Sequence, residues 1–190
     1  MSYYLPVCRS LMKWIAIVLI CVATCVAYGI IHDQITARIC VEYFTIGHPR
    51  VFRTDDPTLL GLVWGVIATW WVGVLLGIPL AAACRFGRWP KREPKTLWRP
   101  LFRLCTISFA IAAFAGFAGW IAASNGWVFL VGPVADRVPA DRHVPFLIDL
   151  WIHSASYLVG FAGGIVVIVM VLLGRQREHL HANRIAPHGN

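Results

Sequence analysis

Four long apolar runs take up about half of the chain and constrain its fold more than any other feature. They cover residues 14–31, 59–84, 104–124 and 146–174. A helix that crosses a bilayer needs roughly 17–25 apolar residues, and each run reaches that length. Only 14% of the residues are charged, whereas a soluble domain typically has about 25%. We therefore predict one all-α integral membrane domain with four antiparallel transmembrane helices.

The distribution of Lys and Arg predicts which parts of the chain face the cytoplasm. Twelve of the 17 basic residues lie before the first run, in the connection 85–103 and in the C-terminal tail. The other five lie in the connections 32–58 and 125–145. Cytoplasmic segments of membrane proteins usually carry the excess of basic residues. We therefore predict that both termini and residues 85–103 are cytoplasmic, and that 32–58 and 125–145 are outer loops.

The connection 85–103 combines basic residues with proline and tryptophan. Its three prolines argue against one long helix, and its tryptophans suit the depth of lipid head groups. This composition predicts contact with anionic lipids at the bilayer surface, whereas the chain has no nucleic-acid recognition motif. The predicted lipid-binding residues are Arg85, Arg88, Lys91, Arg92, Lys95, Arg99 and Arg103.

Small residues and tryptophans in the apolar runs give expectations about helix packing. Glycines four residues apart in the second run, at 61/65 and 73/77, allow close approach of helix backbones. Gly160 and Gly164 in the fourth run are interpreted in the same way. Trp70 and Trp71 lie near the middle of the second run, and we expect at least one indole to pack inward to find a partner.

Two of the runs carry a polar stripe at helical spacing. Each stripe has its members three or four residues apart, which places them on one helix face. Polar side chains at membrane depth usually face the interior of a bundle, so the two stripes should face each other and bring His32 and His153 close to a shared ligand or water. The first stripe is Cys21, Cys25, Tyr28 and His32, and the second is Asp149, His153, Ser156 or Tyr157, and Gly160, extended by Gly164.

The ionisable residues at the ends of these stripes form the candidate site. Asp149 and His153 are a D-x-x-x-H pair, so one helix could offer two ligands to one metal ion. A zinc, iron or copper ion held by His32, Asp149 and His153 is one interpretation, although no cofactor is required by the pattern. A structural network in which Asp149 orients an imidazole is the other leading interpretation, and a small transporter or proton path is the third. The full candidate set is His32, Asp33, Glu42, His48, Asp149 and His153.

The segment after the first run carries a resemblance to a known family. His32-Asp33-Gln34-Ile35-Thr36, followed by Glu42-Tyr43-Phe44-Thr45, resembles the HDQ-x-T…EYFT signature of an uncharacterised family of small bacterial multi-pass membrane proteins. The resemblance implies bacterial origin and a multi-pass membrane protein, and it gives no residue a catalytic role. We therefore expect a small inner-membrane protein with a structural or accessory role and an outward-facing polar site. The sequence leaves open whether it is an enzyme and which proteins it binds.

Overall fold

A computed structural model of the protein describes residues 4–185. Within these residues the chain is helical and contains no β-strand. Short 3₁₀ turns at Pro94–Thr96 and Ala140–Arg142 precede two of the long helices. The helices are α1 (Tyr4–Ile39), α2 (Val41–Thr45), α3 (Pro57–Ile67), α4 (Trp70–Arg85), α5 (Trp98–Ser124), α6 (Gly132–Arg137) and α7 (His143–Ile185).

Four helical stretches in the described part of the chain are long and apolar enough to cross a membrane. They are Cys8–Ile39, Pro57–Arg85, Pro94–Ser124 and Ala140–Ile185. Each contains one of the predicted apolar runs. The prediction of an all-α chain with four membrane-length helices is therefore confirmed.

The helices extend beyond the predicted runs. α1 continues past residue 31 to Ile39, so that the first part of the predicted loop 32–58 is helical. Its last turns are supported by polar contacts: Arg38 donates to Gln34 Oε1 at 2.9 Å, and Gln34 Nε2 donates to the Thr58 carbonyl at 2.8 Å. α5 starts at Trp98, which places Pro100 in its first turn, where the missing N–H costs no helical hydrogen bond.

The second apolar run forms two helices instead of one. α3 ends at Ile67 and α4 begins at Trp70, with Ala68 and Thr69 between them. Pro79 lies inside α4 and does not end it. The break has no glycine or proline, which is why the sequence pattern does not indicate it.

Glycines bring α3 and α4 close to α1. A Cβ on Gly65 would lie 2.6 Å from the Ile30 backbone, and a Cβ on Gly73 would lie 2.5 Å from Val22 Cα. Real Cβ atoms do not come this close, so only glycine permits this separation of the helices. α5 packs closely on α7 in a similar manner, with Gly116 against Ile152. The two helix pairs, α1 with α3/α4 and α5 with α7, meet chiefly where α4 contacts α7.

The tryptophans at the start of α4 do not pack inward as expected. Trp70 is 51% exposed and Trp71 is 42% exposed. Trp71 contacts Phe161 of α7, with ring centroids 6.1 Å apart. Both rings lie on the outer surface of the bundle, where the apolar part of an indole suits hydrocarbon. The expectation that an indole needs a partner in the core is wrong for this pair.

Arg175 is on α7 and holds the segment that follows α4 against that helix. It was counted with the basic tail, but it is only 1% exposed. Its guanidinium donates to the carbonyls of Pro90 and Phe86, both at 2.7 Å, and to that of Trp89 at 3.1 Å. It also donates to the Ala83 carbonyl. We call this arrangement the Arg175 clamp.

Arg85 also differs from its predicted role. Its side chain is buried, close to the Arg92 carbonyl and Glu93, so it is not available to lipid head groups. Arg92 is partly buried and pairs with Glu178 of α7 at 2.8 Å. The other five predicted lipid-binding residues are exposed: Arg88, Lys91, Lys95, Arg99 and Arg103.

Candidate functional site: a buried His-Asp-His cluster

The end of α1, the short helix α2 and the start of α7 surround the candidate site. Cys40 has an extended backbone (φ −148°), which turns the chain between α1 and α2. This turn directs α2 back onto α7, where the Tyr43 ring stacks on the His153 imidazole with centroids 4.5 Å apart. Tyr43 is 8% exposed and His153 is 8% exposed. The packing of Tyr43 therefore fixes the imidazole plane and shields it from water.

His32, Asp33 and His153 come together inside the bundle. Asp33 Oδ1 lies 2.9 Å from His32 Nδ1 and 3.3 Å from His153 Nε2. The two imidazoles meet edge to face, with centroids 4.6 Å apart. One ligand atom from each residue lies within 4.8 Å of the others, a spacing that could hold one metal ion. We call these three residues the His-Asp-His cluster.

The second nitrogen of each imidazole is also engaged. His153 Nδ1 donates to the Asp149 carbonyl, one turn back on α7, at 2.8 Å. Ser156 Oγ lies 3.0 Å from His32 Nε2 and 2.9 Å from the Tyr28 hydroxyl. Metal-bound histidines almost always bond through their other ring nitrogen to a carbonyl, carboxylate or water, which fixes the tautomer and the ring orientation.

These contacts determine which atom of His153 faces Asp33. A carbonyl oxygen only accepts, so the Nδ1 of His153 carries the hydrogen. In a neutral imidazole, Nε2 then presents a lone pair, and it faces Asp33 Oδ1, which is also an acceptor when ionised. Two acceptors 3.3 Å apart need a positive charge between them. A proton or a metal ion would supply it.

Asp149 does not have the role that the sequence indicated. It is on the predicted face of α7 and is completely buried, at 0% exposure. Its backbone carbonyl, and not its carboxylate, orients His153. Both carboxylate oxygens lack a hydrogen-bond partner among the described residues. The three residues that could hold one metal ion are His32, Asp33 and His153, whereas the predicted set had Asp149 in place of Asp33.

Glu42 belongs to the surroundings of the cluster. It accepts a hydrogen bond from Arg142 Nε at 3.0 Å and one from the Cys40 thiol at 3.4 Å. Burial alone would raise the pKa of Glu42, but hydrogen bonds from its own backbone and from Arg142 hold it below the usual value. Burial raises the pKa of the Cys40 thiol to about 12. The thiol is therefore protonated at neutral pH, in agreement with its hydrogen bond to Glu42.

His48 lies in an aromatic environment next to the cluster. Its Nδ1 donates to the Tyr43 carbonyl at 2.8 Å, and its ring lies 4.7 Å from the Trp64 ring. Burial lowers the pKa of His48, although the hydrogen bond to Tyr43 opposes this effect. His143, another histidine of this region, bonds to the Val138 carbonyl at 3.0 Å.

A long cavity of about 120 Å³ extends from the cluster along the seam between the two helix pairs. Both predicted stripes line it: Cys21, Cys25, Tyr28 and His32 on one side, and His153, Ser156, Tyr157, Gly160 and Gly164 on the other. Apart from its end at the cluster, the exposed wall of the cavity is almost entirely apolar. The prediction that the two stripes face each other is confirmed, with the exception of Asp149.

The sequence pattern also missed two contributors to the site. Asp33 was in the candidate set as an available ligand, but the predicted ligand set named Asp149 instead; a residue next to His32 points to another side of an ideal helix. Tyr43 was named only within the family signature. Its position before His48 in an aromatic segment was the available signal.

No protein-family profile, curated protein or solved structure matches the chain significantly.

Proposed function

We propose that this protein is a membrane metalloprotein that holds one transition-metal ion at His32, Asp33 and His153. The observation that carries the proposal is the convergence of three buried side chains: His153 Nε2 lies 3.3 Å from Asp33 Oδ1, and one ligand atom from each of the three residues lies within 4.8 Å of the others. His32 Nδ1 faces the same carboxylate oxygen at 2.9 Å. Small shifts of these side chains would give three ligand atoms around one ion.

The ligand types narrow the choice of metal. Two imidazoles and one carboxylate with free positions are typical of catalytic zinc and of non-haem Fe(II). The contacts of Asp149 O and Ser156 Oγ supply the outer support that such histidines usually have. His32, Asp33 and His153 also line the apolar cavity, so a molecule in the cavity would lie beside the ion.

We further propose a bacterial inner-membrane location with four antiparallel helices and both termini in the cytoplasm. The sequence of contacts along the helices supports the antiparallel arrangement of the first two spans. From Gly61 through Gly65 to Gly73, the partners on α1 go backwards along the chain, from Asp33 through Ile30 to Val22. The distribution of Lys and Arg supports the orientation. In this arrangement the His-Asp-His cluster lies near the outer surface.

The five exposed cations of the connection after α4 would contact anionic lipid head groups.

Metal analysis of the purified protein tests the proposal. Protein in lipid nanodiscs is loaded with zinc, Fe(II) or copper, washed, and analysed by mass spectrometry. We expect about one ion per chain for the metal that fits, because three protein ligands are present. H153A and D33N should lose this ion. H48F is the matched control, since it removes a neighbouring histidine that is not in the cluster.

A structural hydrogen-bond network is the second candidate. It is favoured by the chain Tyr28–Ser156–His32, which links α1 to α7, two helices that otherwise make few contacts. In that case no metal would bind stoichiometrically, and D33N would lower the thermal stability regardless of chelators.

A proton path is a weaker candidate. Beyond the cluster, the described cavity lining has no carboxylate or histidine to continue such a path.

A further inference from the structure

The connection between α5 and α7 presents three large apolar side chains at the surface. Trp127 is 72% exposed, Phe129 is 70% exposed and Val131 is 68% exposed. The residues between them, Val128 and Leu130, are partly buried. Exposed apolar residues that are grouped in this way mark a contact with another protein or with a membrane. We call Trp127, Phe129 and Val131 the apolar row.

The inner side of this connection is held firmly by the rest of the protein. Leu130 packs against the buried group that includes Tyr43 and Val138. At the end of the connection, Arg142 donates to Glu42 at 3.0 Å. These contacts join the connection to α2, which covers the His-Asp-His cluster. They also fix which side of the connection faces outward, so the apolar row cannot turn into the bundle.

The length of α5 places the apolar row at the depth of lipid head groups. Arg103 is the last charged residue before Asp136, so residues 104–135 carry no charge. At 1.5 Å per residue, the helical residues 104–124 extend over about 31 Å, which matches a hydrocarbon thickness of about 30 Å. Gly126 has a φ of 71°, and the Trp127 N–H donates to the Ala122 carbonyl at 2.9 Å, an arrangement that ends the helix. The chain therefore leaves α5 where the hydrocarbon ends.

The chemistry of the apolar row favours lipid over a protein partner. Tryptophan is enriched where a membrane meets water, because its ring is apolar and its N–H can still bond to a head group or to water. Beyond this one N–H, the row offers no polar side-chain group, whereas protein interfaces usually carry several hydrogen bonds. Phe117 and Trp120 near the end of α5 are also exposed, so the row continues along the chain an apolar surface suited to lipid.

We propose that Trp127, Phe129 and Val131 insert into the lipid head-group region at the bilayer surface nearest the His-Asp-His cluster. The bilayer then holds the connection from one side, and the packing of Leu130 holds it from the other. The connection in turn keeps α2 over the cluster. The proposal goes beyond metal binding and does not depend on it, since none of the three residues belongs to the cluster.

Depth-dependent fluorescence quenching tests the insertion in nanodiscs that hold one purified chain each. The fluorescent amino acid acridonylalanine replaces Phe129 in the full chain. We expect strong quenching by a phospholipid with a nitroxide near its head group, weaker quenching by one with a nitroxide deep in its acyl chain, and little quenching by iodide in solution. Strong quenching by iodide without quenching by lipid would overturn the proposal and leave the row free for a protein partner or a second copy. Quenching mainly by the deep nitroxide would contradict the head-group depth.

The same fluorescent amino acid at two other positions calibrates the measurement. Phe114 lies in the middle of residues 104–124 and is 71% exposed, so the deep nitroxide should quench this position most. Asp136 is an exposed and charged position of the same connection, so iodide should quench it most. Position 129 should fall between these two references.

Substitution of the apolar row tests whether the bilayer restrains the connection. W127S/F129S removes two apolar side chains at the surface and leaves the inner contact of Leu130 unchanged. We expect amide hydrogen exchange in α2 and α6 to become several-fold faster, because a segment with fewer apolar contacts opens more readily. L180S is the control, since Leu180 is an exposed apolar residue at the other end of α7. Unchanged exchange in folded W127S/F129S would refute the proposed anchoring.

Discussion

His48 shows how burial controls the charge of one residue next to the site. Its ring is enclosed by Tyr43, Phe44 and Trp64. Burial lowers its pKa, so the folded protein holds it in the neutral form at pH values where the unfolded chain would bind a proton. Proton binding by the unfolded state therefore opposes folding when the pH falls below about 6.5, the ordinary pKa of histidine.

We predict that H48F makes the thermal stability less dependent on pH. For the native protein, the melting temperature should be highest above about pH 6.5 and decrease as the solution becomes more acidic. Phenylalanine fits the same aromatic neighbours but does not titrate, so H48F should show a shallower decrease. Melting of nanodisc samples from neutral to acidic pH measures the difference. H181Q, a change at an exposed histidine of α7, should keep the native slope. Identical slopes for H48F and the native protein would contradict this account.

The residue scale also shows where sequence reasoning succeeds. Helical spacing correctly brought His32 and His153 together, because polar groups in an apolar bundle avoid lipid. It chose the wrong carboxylate, since the i, i+4 spacing of Asp149 and His153 was equally compatible with a bond to the backbone carbonyl. Which bond forms depends on the rotamer of His153, and Tyr43 of α2 fixes that rotamer by stacking. A contact between distant segments of this kind leaves no periodic signal.

At the scale of the helices, glycines determine how closely α1 and α4 approach. Gly73 lies against the backbone of Val22, with no space for any side chain. A larger residue must push the two helices apart. Because membrane helices associate mainly through close packing, the loss of this contact removes much of what holds them together.

We predict that G73L is strongly destabilising whereas G160L is tolerated. Both replace a glycine inside an apolar helix by the same residue, so helix propensity changes equally. A Cβ on Gly160 would meet nothing within 4 Å, which corrects the interpretation of Gly160 as a packing residue. Only G73L collides with another backbone, and overpacking of this kind costs about 1–3 kcal/mol or more. Thermal unfolding in nanodiscs compares the variants. A similar loss of stability in both would show that the α1–α4 separation does not depend on Gly73.

At the scale of the whole molecule, the orientation of the chain in the membrane determines which surface the His-Asp-His cluster lies near. In the proposed bacterial inner membrane, with both termini in the cytoplasm, the loop before α3 would face the periplasm. We predict that a reporter enzyme active only in the periplasm is silent when fused after residue 190 and active when fused after Asp56. A fluorescent reporter that matures only in the cytoplasm should give the reciprocal result. The opposite pattern in both reporters would reverse the orientation and place the cluster near the inner surface.

The whole molecule also marks the limit of prediction from sequence. The apolar runs determine four membrane-length helices because hydrocarbon requires continuous backbone hydrogen bonding. The break at Ala68 and Thr69 was not predicted, since neither residue disfavours a helix strongly enough. The cavity was not predicted either. The cavity depends on how far apart the two helix pairs lie. Many side-chain contacts along the seam together determine that distance.

The Arg175 clamp gives the two ends of the bundle different responses to acid. Arginine keeps its charge at any pH that proteins experience, and the backbone carbonyls that it binds do not titrate. The contacts that Arg175 makes between α7 and the connection after α4 are therefore the same in acidic and neutral solution. The opposite end depends on histidines and carboxylates. On acidification, the bundle should loosen first around α2 while the clamped end stays assembled, so that the protein has a built-in order of opening.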